Sequence, residues 1–134
     1  MQRILGILAI VLMAGVAQAQ EKEITMVSDP ELKASGLWSY VLPRFKLKTG
    51  IKVNVVYGSG DPSGDVLLLQ DGTTPVMVSG DGLEFRATLN RTSPHGKRFM
   101  EWLVSEVGRR TISSFRVDDQ QAFFPSVVEL SEDN

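Results

Sequence analysis

The chain has 134 residues, among them 14 Lys and Arg, 16 Asp and Glu, and no Cys. This length suits one domain with a single core, and without Cys no disulfide can stabilise that core. The acidic balance is mild and Lys and Arg form no cluster, which argues against a nucleic-acid-binding protein.

The first 19 residues predict a secretory signal peptide. Arg3 supplies the positive charge, residues 4–16 are apolar and uncharged, and Ala17-Gln18-Ala19 gives the small-x-small cleavage pattern. The apolar stretch of 13 residues is shorter than the roughly 20 that a spanning helix needs. No Cys follows it, which excludes a lipoprotein.

We therefore expect a periplasmic or secreted protein that is not embedded in a membrane after cleavage. Its expected organisation is one domain over residues 20–128, followed by an acidic disordered tail over residues 129–134, which is rich in Glu and Asp.

The first half of the mature chain predicts a strand–helix–strand unit and a further strand. Residues 24–27 form a short apolar strand. An amphipathic helix follows, with Ser35 as its N-cap, Pro43 bending it and Gly50 closing it. Its apolar face is formed by Leu37, Val41 and Phe45. Residues 51–57 alternate as a half-buried strand, and residues 65–69, apolar on both faces, predict a central parallel strand.

The second half predicts two strands, at residues 76–78 and 83–89, and a long helix from Pro94 to Ser114. The helix has a buried stripe formed by Phe99, Met100, Leu103, Val104 and Val107. Trp102 falls on the opposite, polar side. Two interpretations stay open: residues 115–128, with Phe123-Phe124-Pro125, cover Trp102, or Trp102 contacts a partner.

Two groups of motifs resemble a known family. The first comprises Ser28, Ser35-Gly36-Leu37, Val41-Leu42-Pro43-Arg44-Phe45, Thr49-Gly50-Ile51-Lys52-Val53 and Gly58-Ser59-Gly60. The second is the run G-K-R-F-M-E-W-L-V-S-E-V-G-R-R-T-I-S-S-F, followed by F-F-P. Together they resemble the extracellular solute-binding proteins of bacterial ABC transporters, most closely the tungstate/molybdate-binding group.

The resemblance covers residues 24–69 and 83–125 and implies an α/β fold. That fold would be a single lobe of the type II periplasmic-binding-protein architecture, with a mixed, mostly parallel sheet flanked by helices. Since such proteins have two lobes and this chain has room for one, the resemblance implies that the second lobe is missing.

A small-ligand site is expected where the turns after the first two strands meet. Ligands bind at this edge of open α/β sheets, and backbone amides near a helix N-terminus favour an anion. The resemblance implies a molybdate-like or tungstate-like oxyanion bound by Ser28, Ser35 and Ser59, with Gly58 and Gly60 allowing close backbone approach. The alternative is that Ser35 is only a cap and the glycines only a turn.

Carboxylates at the same turns favour other ligands. Asp29 and Asp61 would repel an oxyanion and suit a cation or an amine better. Asp61, Asp65, Asp71 and Asp81 do not have the spacing of an EF-hand loop, and Asp-Gly pairs are ordinary turn residues. We expect neither a bound metal nor a cofactor.

No enzyme signature is present. The single His95 has no identifiable carboxylate or nucleophile as a partner. The main hypothesis is a non-enzymatic binding domain that acts with an ABC permease or another periplasmic protein. The alternative is an accessory protein–protein interaction module that has lost the ligand, and a hydrolase is a third hypothesis.

Overall fold

The structure is a computed structural model that describes residues 22–58 and 63–126. The predicted signal peptide, residues 129–134, Ser59, Gly60 and Asp61 lie outside the described residues. The elements are β1 (Lys22–Ser28), a 3-10 turn (Pro30–Leu32), α1 (Leu37–Thr49), β2 (Ile51–Tyr57), β3 (Val66–Leu69), β4 (Thr74–Ser79), β5 (Glu84–Leu89), α2 (Pro94–Leu103), α3 (Glu106–Ser114), β6 (Arg116–Val117), β7 (Gln120–Gln121) and β8 (Phe123–Pro125).

The predicted strand–helix–strand unit is present. β1 and β2 pair in parallel from Lys22 opposite Ile51 to Ser28 opposite Tyr57, with α1 between them in the chain. Gly50 closes α1 at a φ of 78°, in the left-handed region that glycine adopts without a steric penalty. The predicted helix and its C-terminal cap are therefore confirmed.

The main sheet has the strand order β2-β1-β3-β5-β4-β8. Among the described strands of this sheet, β1 is parallel to β2 and to β3, whereas the other three pairs are antiparallel. The prediction of a mixed α/β fold is confirmed, and β3 lies inside the sheet as predicted. A mostly parallel arrangement is not confirmed, because the tight turn between Ser79 and Leu83 joins β4 and β5 as an antiparallel hairpin.

The core lies between the helices and one face of the sheet. The Phe45 ring of α1 is 5.0 Å from Phe99 and 5.3 Å from Trp102, measured between ring centroids. β5 and β8 join the same cluster through Phe85 and Phe123, whose ring centroids lie 6.4 Å apart. These aromatic contacts fix α1 and α2 over the sheet, and the burial of large apolar side chains stabilises the arrangement.

The predicted helix from Pro94 to Ser114 is wrong in one respect, because it is two helices broken at Val104 and Ser105. The Ser105 hydroxyl accepts a hydrogen bond from the Gly108 N–H at 3.2 Å and lies 2.6 Å from the Trp102 carbonyl oxygen, to which it donates. Ser105 thus caps α3. Because the helix axis changes at this break, Val107 no longer faces the core as predicted, and Val107 is 48% exposed.

The prediction that Trp102 lies on a polar face is also wrong. α2 ends at Leu103, so the polar residues that follow belong to a different helix axis. Trp102 is only 8% exposed and packs on Phe45. One interpretation had residues 115–128, with Phe123-Phe124-Pro125, covering Trp102. The aromatic ring that packs on Trp102 is Phe45 of α1, whereas the Phe123 ring contacts Phe115 and Phe85.

A short crossover between β3 and β4 depends on Gly72. These two strands run in the same direction on either side of β5, and residues 70–73 connect them across that strand. A Cβ on Gly72 would lie 2.6 Å from the Arg86 carbonyl oxygen. Since that oxygen belongs to the backbone of β5, it cannot move aside without distorting the sheet.

Replacing Gly72 with alanine should therefore destabilise the fold by about 1–3 kcal/mol, as overpacking does. The measurement is chemical denaturation of the mature protein. Gly80→Ala is the matched control, because a Cβ there meets nothing within 4 Å. Equal denaturation midpoints for the two variants would show that residue 72 is farther from the Arg86 backbone in solution than in the structure.

Candidate ligand-binding site

The ends of β1, β2 and β3 form one edge of the sheet. The Gly58 N–H donates to the Ser28 carbonyl at 3.0 Å, and the Asp29 N–H donates to the Leu68 carbonyl at 2.8 Å. These bonds continue the parallel ladders one residue beyond the strands. The structure therefore brings the turns that follow the two predicted strands together, while Ser59 and Gly60 lie outside the described residues.

Ser28 is fully buried at this edge. Its hydroxyl oxygen accepts a hydrogen bond from the Trp38 indole N–H at 2.9 Å. A buried indole N–H needs such a partner, so Ser28 anchors the first turn of α1 to the end of β1. In this state the Ser28 hydroxyl is covered and already engaged, and it does not face a ligand.

Ser35 also has local partners. Helix α1 begins at Leu37 after Gly36, so Ser35 lies one residue before the N-cap rather than at it. Its hydroxyl accepts from the Leu37 N–H at 3.1 Å and donates to the Leu32 carbonyl at 2.8 Å. This geometry agrees with the alternative that Ser35 only caps the helix. The Ser35 hydroxyl accepts from Leu37, one of the first amides of α1, which have no acceptor within the helix.

Asp29 joins the turn after β1 to the turn after β3. It is 7% exposed, and its two carboxylate oxygens accept from the Glu31 N–H at 2.9 Å and the Gln70 side-chain amide at 3.2 Å. The prediction of a cation or amine ligand used only the charge of Asp29. The order Asp-Pro-Glu signals the local bond to Glu31, since Asp before a Pro at the first helical position is a capping pattern, whereas the bond to Gln70 has no local signal.

A cavity of about 690 Å³ lies beside this connection. Leu67 and Leu69 supply its apolar wall. Its polar lining consists of Asp29, Gln70, Asp71, Thr73 and Thr88. This lining contains carboxylate, hydroxyl and amide groups and no Lys or Arg. The cavity can therefore accept hydrogen bonds from hydroxyl or ammonium groups, whereas it holds no positive charge for an anion.

Tyr57 supplies a phenol at the end of β2. Desolvation by burial raises the pKa of Tyr57 above its ordinary value, and the phenol, which is protonated at neutral pH in any case, can donate a hydrogen bond. The Lys33 ammonium lies 5.8 Å from the centroid of the ring. Tyr57 does not line the cavity described above and was predicted only as a strand residue.

The remaining acidic residues do not converge. Asp65 accepts from the Thr25 N–H at 2.8 Å and lies 3.8 Å from the Arg91 Nε, whereas Asp81 accepts from the Ser79 hydroxyl at 3.2 Å. Residues 22–58 and 63–126 contain no group of three or more side chains that could hold a metal ion. Likewise, none of the helices in those ranges has the length and apolar character needed to cross a membrane.

Comparisons with known proteins identify no relative. No protein-family model, curated protein or solved structure matches this chain. The likeness to solute-binding proteins therefore stands on the motifs quoted above, and the family assignment stays a hypothesis.

Proposed function

We propose that this chain is an exported, non-enzymatic binding domain that holds a small solute beside the ends of β1 and β3. The observation that carries the proposal is the cavity of about 690 Å³ formed by β3, β5 and the turns after β1 and β3, where Asp29 and Gln70 are hydrogen-bonded to each other. An edge formed by the ends of parallel strands is the usual ligand position in open α/β sheets.

The motif resemblance supports a more specific architecture. In this proposal the parallel strands β2, β1 and β3, together with α1, correspond to the ligand-bearing part of one lobe of a type II periplasmic-binding protein. The second lobe is missing, and the domain is located in the periplasm or secreted. An ABC permease is the partner that the resemblance implies.

Two ligand classes compete for this edge. The resemblance favours a molybdate-like or tungstate-like oxyanion, whose donors would come mainly from Ser59, Gly60 and nearby amides. The Ser28 and Ser35 hydroxyls and the Gly58 N–H are already engaged. The cavity lining favours a hydroxylated or amine solute instead, because it carries the carboxylates of Asp29 and Asp71 and no Lys or Arg. Among these groups, Asp29, Gln70, Thr73 and Thr88 already form hydrogen bonds within the protein.

A thermal-shift screen of the mature protein separates the two classes. A ligand that binds only the native state at 100 times its dissociation constant stabilises it by about 2.7 kcal/mol, which raises the melting temperature by several degrees. The screen compares molybdate, tungstate, sulfate and phosphate with diamines and polyols. We expect one class to raise the melting temperature and the other to leave it unchanged.

Matched variants then locate the bound solute. Asp71→Asn should abolish an amine-induced shift while leaving the unliganded melting temperature unchanged, because Asp71 is an exposed lining residue. Ser59→Ala should abolish an oxyanion-induced shift. If no compound in either class stabilises the protein at millimolar concentration, the solute-binding proposal is wrong.

A ligand-free protein interaction module is the second candidate. The observation that favours it is Leu47, a large apolar side chain that is 89% exposed on α1. Exposed apolar groups that cluster on a stable domain mark contact sites. Pull-down of a periplasmic partner by the wild-type protein and not by Leu47→Gln would support this candidate over solute binding.

A further inference from the structure

A groove between α1 and α3 is apolar at its centre and exposed. It has a volume of about 350 Å³ and is lined by Arg44, Leu47, Lys48, Trp102, Val107 and Thr111. Leu47 is 89% exposed and Val107 is 48% exposed. Leaving both side chains in water forgoes the stabilisation that their burial would give.

Trp102 lines this groove and has a buried, unpaired indole N–H. The residue is 8% exposed, and its indole N–H has no hydrogen-bond acceptor among the described residues. Buried polar groups in native proteins are nearly always paired, and the buried indole of Trp38 is paired with Ser28. The Trp102 N–H is itself covered by protein, so an occupant of the groove would contact the rest of the indole and not this donor.

The positive charge of the groove favours an occupant with carboxylates. Arg44 and Lys48 both line it, and neither forms an ion pair with any residue of the described ranges. An occupant that fits must combine apolar side chains with carboxylates. It would then cover Leu47 and Val107 while it neutralises the two cations.

Residues 127–134 combine apolar side chains with carboxylates. Residues 127–134 read V-V-E-L-S-E-D-N, with apolar Val127, Val128 and Leu130 interspersed with Glu129, Glu132 and Asp133. The described chain stops at Ser126, where the Ser126 N–H donates to Val76 at 3.0 Å. β8, which ends one residue earlier, packs against α3. The segment therefore starts beside the helix that forms one wall of the groove.

We propose that residues 127–134 dock into this groove, with Leu130 on Leu47 and the carboxylates beside Arg44 and Lys48. Leu130 lies four residues after Ser126 and reaches up to about 14 Å from it when the chain is extended, slightly more than the 10–12 Å diameter of a helix. Because the segment is tethered, its effective concentration at the groove is millimolar. A tethered segment therefore needs little affinity to occupy the groove.

A double-mutant cycle in the mature protein tests this contact. Leu47→Gln and Leu130→Gln should each raise the unfolding equilibrium constant about fivefold, the factor expected for a loss of about 1 kcal/mol. The double variant should be little worse than either single variant, because both remove the same contact. Val117→Thr is the control: Val117 is 42% exposed away from the groove, and its loss should leave the unfolding constant unchanged.

Three results would overturn the proposal. Leu47→Gln could leave the unfolding constant unchanged, which would mean that nothing covers Leu47. The two single effects could instead add in full, which would place Leu130 elsewhere. A melting temperature that rises with protein concentration, together with a dimer in sedimentation, would show that a second copy occupies the groove.

Discussion

Replacing Gly108 with alanine should destabilise the protein by more than about 3 kcal/mol. A Cβ at this position would lie 1.9 Å from the Trp102 carbonyl oxygen, and Leu103 Cα is 3.0 Å away. Both are backbone atoms of the last turn of α2, so no side-chain rotation relieves the clash. Overpacking a core by a methylene costs about 1–3 kcal/mol, and a contact this short with backbone must displace α3 as a whole.

The measurement is urea denaturation of wild type, Gly108→Ala and Gly80→Ala. Gly80 is the control because a Cβ there meets nothing within 4 Å. Intrinsic helix propensity predicts the opposite sign for Gly108, since alanine in an open helix position is favoured over glycine by about 1 kcal/mol. A Gly108→Ala protein as stable as wild type, or more stable, would therefore mean that α2 and α3 do not meet as described.

The break between these helices is only partly visible in the hydrophobic pattern. Phe99 and Leu103 are buried, and one helical face from Phe99 to Val107 predicts a continuous helix. Ile112 is also buried, although a continuous helix would place it about 180° from Leu103. The cap at Ser105 was visible as a serine three residues before Gly108. However, a serine inside an apolar pattern is compatible with both a cap and a solvated position, and only the packing of α3 on α2 decides between them.

The sequence predicts where the strands lie in the chain, but it predicts only in part which strands are neighbours in the sheet. The alternation of residues 51–57 and the apolar run of β3 indicate how each strand is buried. The intervening helix indicates that β1 and β2 are parallel. The sequences of β3, β4 and β5 do not indicate the order of these strands in the sheet. β5 inserts between the two preceding strands, and the Gly72 contact that permits this joins residues far apart in sequence.

At the candidate site, too, local sequence predicts part of the geometry and tertiary packing decides the rest. Sequence alone predicts that the turns after β1 and β2 meet, because the carboxyl ends of parallel strands share an edge. It does not reveal that the Ser28 hydroxyl is engaged by Trp38, ten residues further on. A hydroxyl at a predicted site is a ligand group only if tertiary contacts leave it free, and these contacts are set by how α1 packs on β1.

Truncating Trp102 to alanine should cost about 3–5 kcal/mol, the range for buried large aromatic side chains. The indole is 8% exposed, lies 5.3 Å from the Phe45 ring and shares the α1–α3 groove with Val107. Its removal leaves a cavity beside the Phe45 ring and the α1–α3 groove. Calorimetric unfolding of the mature protein measures the loss.

Trp102→Phe is the matched control, because it keeps an aromatic ring against Phe45 while it removes the unpaired indole N–H. We expect Trp102→Phe to retain most of the stability that Trp102→Ala loses. An interface anchor would behave differently: Trp102→Ala would keep the melting temperature and abolish self-association or partner capture. That outcome would mean that Trp102 is accessible in solution, contrary to its 8% exposure in the structure.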